Sequence, residues 1–156
     1  MKHAFKIALV VGCAAITLPA TAQNRDSDPY VGEFTVKSGF VPDPQSFDVE
    51  AGGQLSAGNA ASGCQGYISE RPDLRLHFTA GSRPLIISVN SNSDTTLVIN
   101  AADGQWYCDD DGGVNGSNPS VQFDNPASGR YEIWVGTYNS GKVEPAELYI
   151  SELNSQ

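Results

Sequence analysis

Leu74-Arg75-Leu76-His77-Phe78-Thr79 decides the fold. Leu74, Leu76 and Phe78 fall on one side of an extended chain; Arg75, His77 and Thr79 fall on the other. That is the period of a half-buried strand. Gly81-Ser82 turns the chain, and Leu85, Ile87 and Val89 make the next inward row. Thr96-Leu97-Val98-Ile99 follows after the Asn90 to Ser93 turn. Asp103-Gly104 is a hairpin dipeptide leading into Gln105 to Cys108.

The same pattern extends both ways. Upstream, Glu33 to Lys37 and Ser46 to Glu50 alternate, separated by Pro42-Asp43-Pro44, and Leu55 to Gly63 reads as a small-residue loop. Downstream, Asp109 to Pro119 is a long polar loop and Val121 to Phe123 a short strand. Tyr131 to Tyr138 alternates most strongly, and Leu148-Tyr149-Ile150 closes the series. No apolar stripe of helical period appears beyond residue 22. The expectation is an all-β protein: a single-domain antiparallel β-sandwich, jelly-roll-like, with roughly eight to ten strands.

The first residues set the compartment. Lys2 and Lys6 precede the short apolar run Ile7 to Leu18, and Pro19-Ala20-Thr21-Ala22 ends it. This is the pattern of a bacterial secretory signal peptide cleaved after Ala22. The run is shorter than the roughly 20 apolar residues of a membrane span. Val10-Val11-Gly12-Cys13 offers a competing lipidation reading, but the apolar run continues past Cys13. The expected organisation is a signal peptide at 1–22, a flexible leader at 23–30 and the sandwich at 31–154, in a periplasmic or secreted protein with no transmembrane segment. Beyond residue 22, seven Lys and Arg face 18 Asp and Glu, a net charge of −11. That charge repels nucleic acid and anionic membranes. It suits cations, basic proteins or neutral glycans. Cys64 and Cys108 are an even pair in an oxidising compartment and are expected to form a disulfide.

Ser93-Asp94-Thr95-Thr96-Leu97, Asp103-Gly104, Cys108-Asp109-Asp110-Asp111, Asn118-Pro119 and Ser128-Gly129-Arg130-Tyr131 to Gly136 together resemble a bacterial pre-peptidase C-terminal (PPC) domain. The resemblance spans roughly residues 73–153. It implies a jelly-roll-like sandwich that accompanies secreted enzymes without catalysing a reaction. Similar domains bind calcium, collagen or polysaccharide. This chain departs from the pattern in its cysteine pair and in the segment Gly39 to Pro44.

Two groups of residues could carry function. Asp109, Asp110 and Asp111, with Gly112-Gly113, Asn115 and Asn118, place oxygen ligands on a glycine-rich loop. Asp94 and Asp103 join them if their turns share that end. Ca²⁺ takes about six to eight such oxygens, and no basic residue between Arg83 and Arg130 relieves the charge. The alternative is a solvated turn. Trp134 and Tyr138 share one strand face and would stack on a sugar or an apolar peptide side chain if exposed; the alternative is a buried Trp134. Catalysis lacks its usual parts. His77 is the only histidine beyond residue 22, and no G-x-S-x-G occurs. The expected function is an exported, non-catalytic binding module, calcium-stabilised if the loop takes the ion, that recognises a glycan or protein. The competing readings are a small carboxylate-dependent hydrolase and a partner or inhibitor of a secreted peptidase.

Overall fold

A computed structural model describes residues 23–156; the expected signal peptide, with Cys13, lies outside the described residues. Among the described residues eleven strands form two sheets, one more than the upper end of the expected count. They are β1 (Gly32–Lys37), β2 (Gln45–Gly52), β3 (Leu55–Ser56), β4 (Tyr67–Ile68), β5 (Leu74–Thr79), β6 (Leu85–Asn90), β7 (Thr95–Asn100), β8 (Trp106–Asp109), β9 (Ser120–Phe123), β10 (Gly129–Thr137) and β11 (Val143–Ser151). One sheet runs β2-β11-β6-β9. In the other, β10 is central: β7 and then β8 flank one side, while β5 with β1, and further along β4 with β3, flank the other. All pairs are antiparallel except β1 with β5. Among the described residues no helix is long and apolar enough to cross a membrane.

The inward rows pack as alternation dictates. Leu74, Leu76, Tyr131, Ile133, Val135, Leu97 and Ile99 face Leu85, Ile87, Val89, Leu148 and Ile150 across the sandwich. The outer face of the β10 sheet is also covered, which period-two reasoning does not foresee. Residues 55–68 are not a loose loop. They form β3, a short 3₁₀ turn at Ala57–Asn59 and β4, and fold over that face. A second small core results from Ala57, Ile68, Val98, Trp134 and Cys64. Gly136 permits it, because a Cβ there would lie 2.4 Å from the Tyr67 carbonyl oxygen. The Cys64–Cys108 disulfide, with its Cα atoms 5.6 Å apart, ties this flap to β8. Closing a segment of 44 residues contributes roughly 4 kcal/mol through loop-closure entropy.

Residues 23–31 lie along the sandwich. Asn24 N–H donates to the Glu70 carbonyl, Tyr30 N–H to Pro72 and Val31 N–H to Asp73. Beneath it, one cross-strand row on β1, β5 and β10 reads Glu33, Arg75, Glu132. Arg75 Nε donates to Glu132 Oε1 at 2.6 Å, and its Nη1 to Glu33 Oε1 at 2.7 Å. Its Nη2 caps the leader carbonyls of Arg25 and Ser27. Arg130 joins Glu132 at 2.9 Å and Asp26 at 2.7 Å.

Candidate functional site

The loops between β6 and β7, β8 and β9, and β10 and β11 gather at one end of the sandwich. Asp94 leads into β7 and accepts, through its carbonyl, the Tyr138 N–H at 3.1 Å. Gln65 Nε2, just after the disulfide, donates to Asp110 Oδ2 at 2.8 Å. Burial raises the Asp94 carboxyl, and Asp111 adds to the effect. Burial likewise raises Asp110, followed by the charges of Asp111, Asp109 and Asp94. Asp94, Asp110 and Asp111 therefore stand within each other's field, and the half-exposed Tyr138 lines a shallow depression with Gln65, the residue that holds Asp110. The chain brings together here two groups that are remote in sequence.

The other residues of the expected metal set are used differently. Asp109 Oδ2 accepts from Gly112 N–H at 2.7 Å and Ser120 N–H at 2.9 Å, which shapes the loop. Asn118 is buried: its Oδ1 takes the Thr95 hydroxyl, and its Nδ2 donates to the carbonyls of Ser91 and Asn115. Asn115 Nδ2 holds Asn90. Asp103 does not join the site. It sits in the β7–β8 turn at the opposite end of β7, where it accepts from Gln105 N–H and the Tyr107 hydroxyl, and those bonds lower its carboxyl. Among the described residues, no three His, Cys, Asp or Glu side chains are arranged to hold one ion together. Asp94, Asp110 and Asp111 have the hard oxygen chemistry Ca²⁺ prefers, but would have to draw inward to chelate it.

Of the two readings of Trp134 and Tyr138, the exposed platform does not form and the buried Trp134 is the one found. Trp134 is 0% exposed, under the residue 55–68 flap and beside Trp106 at 5.4 Å between ring centroids. The outer face of β10 is polar at Glu132 and apolar at Trp134 because two different covers lie over it, the leader and the flap. Trp134 therefore cannot stack on an external ligand; Tyr138, beyond the flap, can.

A second feature went unread in the sequence. Between β5 and β4, one side of β10 lacks a neighbouring strand. Asp73 fills the gap: its N–H donates to the Ile133 carbonyl, and its Oδ2 accepts the Val135 N–H at 2.7 Å. This side chain stands in for a strand carbonyl. Burial pushes its carboxyl up to about 7, partly offset by the Val135 bond. Only the register gap reveals this role, and no sequence period carries it. The Arg75 row was more accessible: Glu33, Arg75 and Glu132 all occupy outward positions of alternating strands.

The search of curated proteins gave no match. Among solved structures, a periplasmic lysozyme inhibitor of g-type lysozyme from Aeromonas hydrophila, PliG, aligns at 17% identity with a TM-score of 0.37. The alignment covers 80% of this chain and 98% of that one. Residues 74–137, from the start of β5 to the end of β10, match the family model of the bacterial pre-peptidase C-terminal domain.

Proposed function

We propose that the protein is an exported, non-catalytic binding module whose ligand-recognising surface is the loop end built from Asp94, Asp110, Asp111, Gln65 and Tyr138. The carrying observation is the set of contacts that joins these remote segments at one end: Gln65, beside the disulfide, holds Asp110, and the exposed Tyr138 donates its N–H to the Asp94 carbonyl, with Asp111 acting on both Asp94 and Asp110. Like charges held together on a disulfide-fixed frame favour a cation at that point. Ca²⁺ bridging to the hydroxyls of a glycan, or a basic side chain of a protein, supplies it. Tyr138 then offers a face for stacking on the sugar or the apolar part of the side chain. The ion's part is to order the loop and to neutralise its charge.

The lone histidine beyond residue 22 is engaged in a structural contact. His77 Nε2 lies 3.0 Å from Glu33 Oε2, on the carboxylate whose other oxygen holds Arg75. The test is a thermal melt with millimolar Ca²⁺ or EDTA, together with glycan and basic-peptide arrays probed with wild type, Asp110→Asn and Tyr138→Ala. The expected result is a Ca²⁺-dependent rise in Tm and a ligand lost in both variants. No Ca²⁺ shift removes the ion, and a ligand bound equally by both variants removes this surface.

A further inference from the structure

A slot of about 570 Å³ opens beside the Asp73 gap, lined by none of Asp94, Asp110, Asp111, Gln65 or Tyr138. Such a volume lies within the range of roughly 300–1,000 Å³ that holds a small ligand. Its walls are largely apolar: Tyr30 and Val31 at the end of the leader, Val49 on β2, and Pro145 and Ala146 on β11. The same wall includes Asp73, only 3% exposed. Its Oδ2 serves Val135. Among the described residues its Oδ1 takes no hydrogen bond. The nearest arginine in sequence, Arg71, lies instead over the Tyr30 ring at 3.9 Å.

An acceptor for one N–H does not require a charge. A neutral asparagine would meet the Val135 N–H at lower desolvation cost, since an unpaired buried carboxylate is among the costliest groups to place in an apolar site. Asp48 and Glu50 of β2 also border the slot, so an anionic ligand meets acidic residues on two sides. Apolar walls with one buried carboxylate that lacks a counter-charge, and two more at the border, complement an apolar body carrying one positive nitrogen. We propose that this slot binds a small organic cation, an amine with an aliphatic or aromatic body, with its charged nitrogen set against the Asp73 carboxylate. The bound cation replaces the missing counter-charge, and Asp73 then ionises fully.

The probes are hexylamine, hexan-1-ol and hexanoate, titrated into the purified protein at pH 8 and followed by amide chemical shifts. Hexylamine is expected to bind about tenfold or more tightly than hexanol, the usual effect of a charge-assisted hydrogen bond. Shifts should centre on Val31, Val49, Asp73 and Val135, and hexanoate should not bind. Hexylamine affinity should fall as the pH drops from 8 to 5.5, while hexanol affinity stays level. Asp73→Asn, which keeps the Val135 acceptor, should bring the amine down to the level of the alcohol. Equal affinity for amine and alcohol overturns the proposal, as does no binding at millimolar concentration, shifts confined to the loop end, or binding of a lysine-rich peptide in place of hexylamine. Should Asp73→Asn fail to fold, the amine–alcohol contrast and its pH dependence in the wild type still decide. The slot stands apart from Asp110 and Tyr138, so its failure leaves the loop-end reading untouched.

Discussion

Arg75 and Glu132 lie directly opposite one another on β5 and β10, and their side chains meet at 2.6 Å beneath the leader. Glu132 is 1% exposed and Arg75 7% exposed, so this is a buried pair with further partners at Glu33, Arg130 and two leader carbonyls. Removing one member strands the other's charge. Glu132→Ala is therefore expected to cost about 3–5 kcal/mol in urea unfolding. Replacing both partners, as in Arg75→Met with Glu132→Leu, should recover much of that loss. A single mutant as stable as wild type would contradict the burial of this row.

Asp73 makes stability depend on pH in an unusual sense for a carboxylate. Its folded pKa, about 7, lies above the unfolded value, so the folded state binds more protons between those limits. The native state thus gains from protonation, and this contribution to stability falls as pH rises from 4 to 7. Asp73→Asn cannot titrate. Its stability relative to wild type should rise over that window by on the order of 3 kcal/mol, read from denaturant melts at each pH. A pH-independent difference would show that Asp73 is not perturbed.

The loop end predicts the effect of charge removal. In EDTA, Asp111→Asn should raise stability by a few tenths of a kcal/mol, because it relieves Asp94 and Asp110 in a largely exposed setting. With Ca²⁺ present the order should invert, since the variant loses a ligand. Melting both proteins with and without the ion checks the sign.

Trp134 and Tyr138 should separate stability from binding. Trp134→Ala opens a cavity in the second core and is expected to cost about 3–5 kcal/mol. Tyr138→Ala, at a half-exposed position, should leave the melt within about 0.5 kcal/mol of wild type while weakening whatever ligand the loop end holds.

Reduction of Cys64–Cys108 should act locally as well as globally. The flap at residues 55–68 lies over Trp134, so the cysteine-to-serine double variant should red-shift tryptophan emission and admit acrylamide. Stability should fall by roughly 4 kcal/mol. Unchanged quenching would mean that β3 and β4 hold the flap without the bond.

The sandwich was legible because its strands alternate and turn at Gly, Pro and Asn. Leu74 to Thr79 and Tyr131 to Thr137 lie in strands where the pattern puts them, with Tyr138 one residue past the end of β10. The flap was not legible. Leu55 to Gly63 carries few large side chains, and its burial comes from a long-range disulfide and from Gly136, not from any local period. The same gap explains Trp134, whose outward position implies exposure unless something covers it. The loop end was half legible: charge and glycine content mark Asp109 to Asp111, but only the fold shows that Asp94 and Tyr138 reach it and that Asp103 does not. Asp73 precedes its strand by one residue and has no pattern at all.

The parallel pairing of β1 with β5 bears on where this domain can be cut. The segment that matches the family begins at Leu74, yet β5 is bordered by β1, residues 32–37, and the inner face of β10 rests on β2 and β11. A fragment trimmed to 74–137 would expose the Leu76 and Ile133 side chains to water and leave Arg75 without its carbonyl caps. The unit able to fold alone is therefore larger than the recognisable one, with its two ends acting as opposite closures of a single shell.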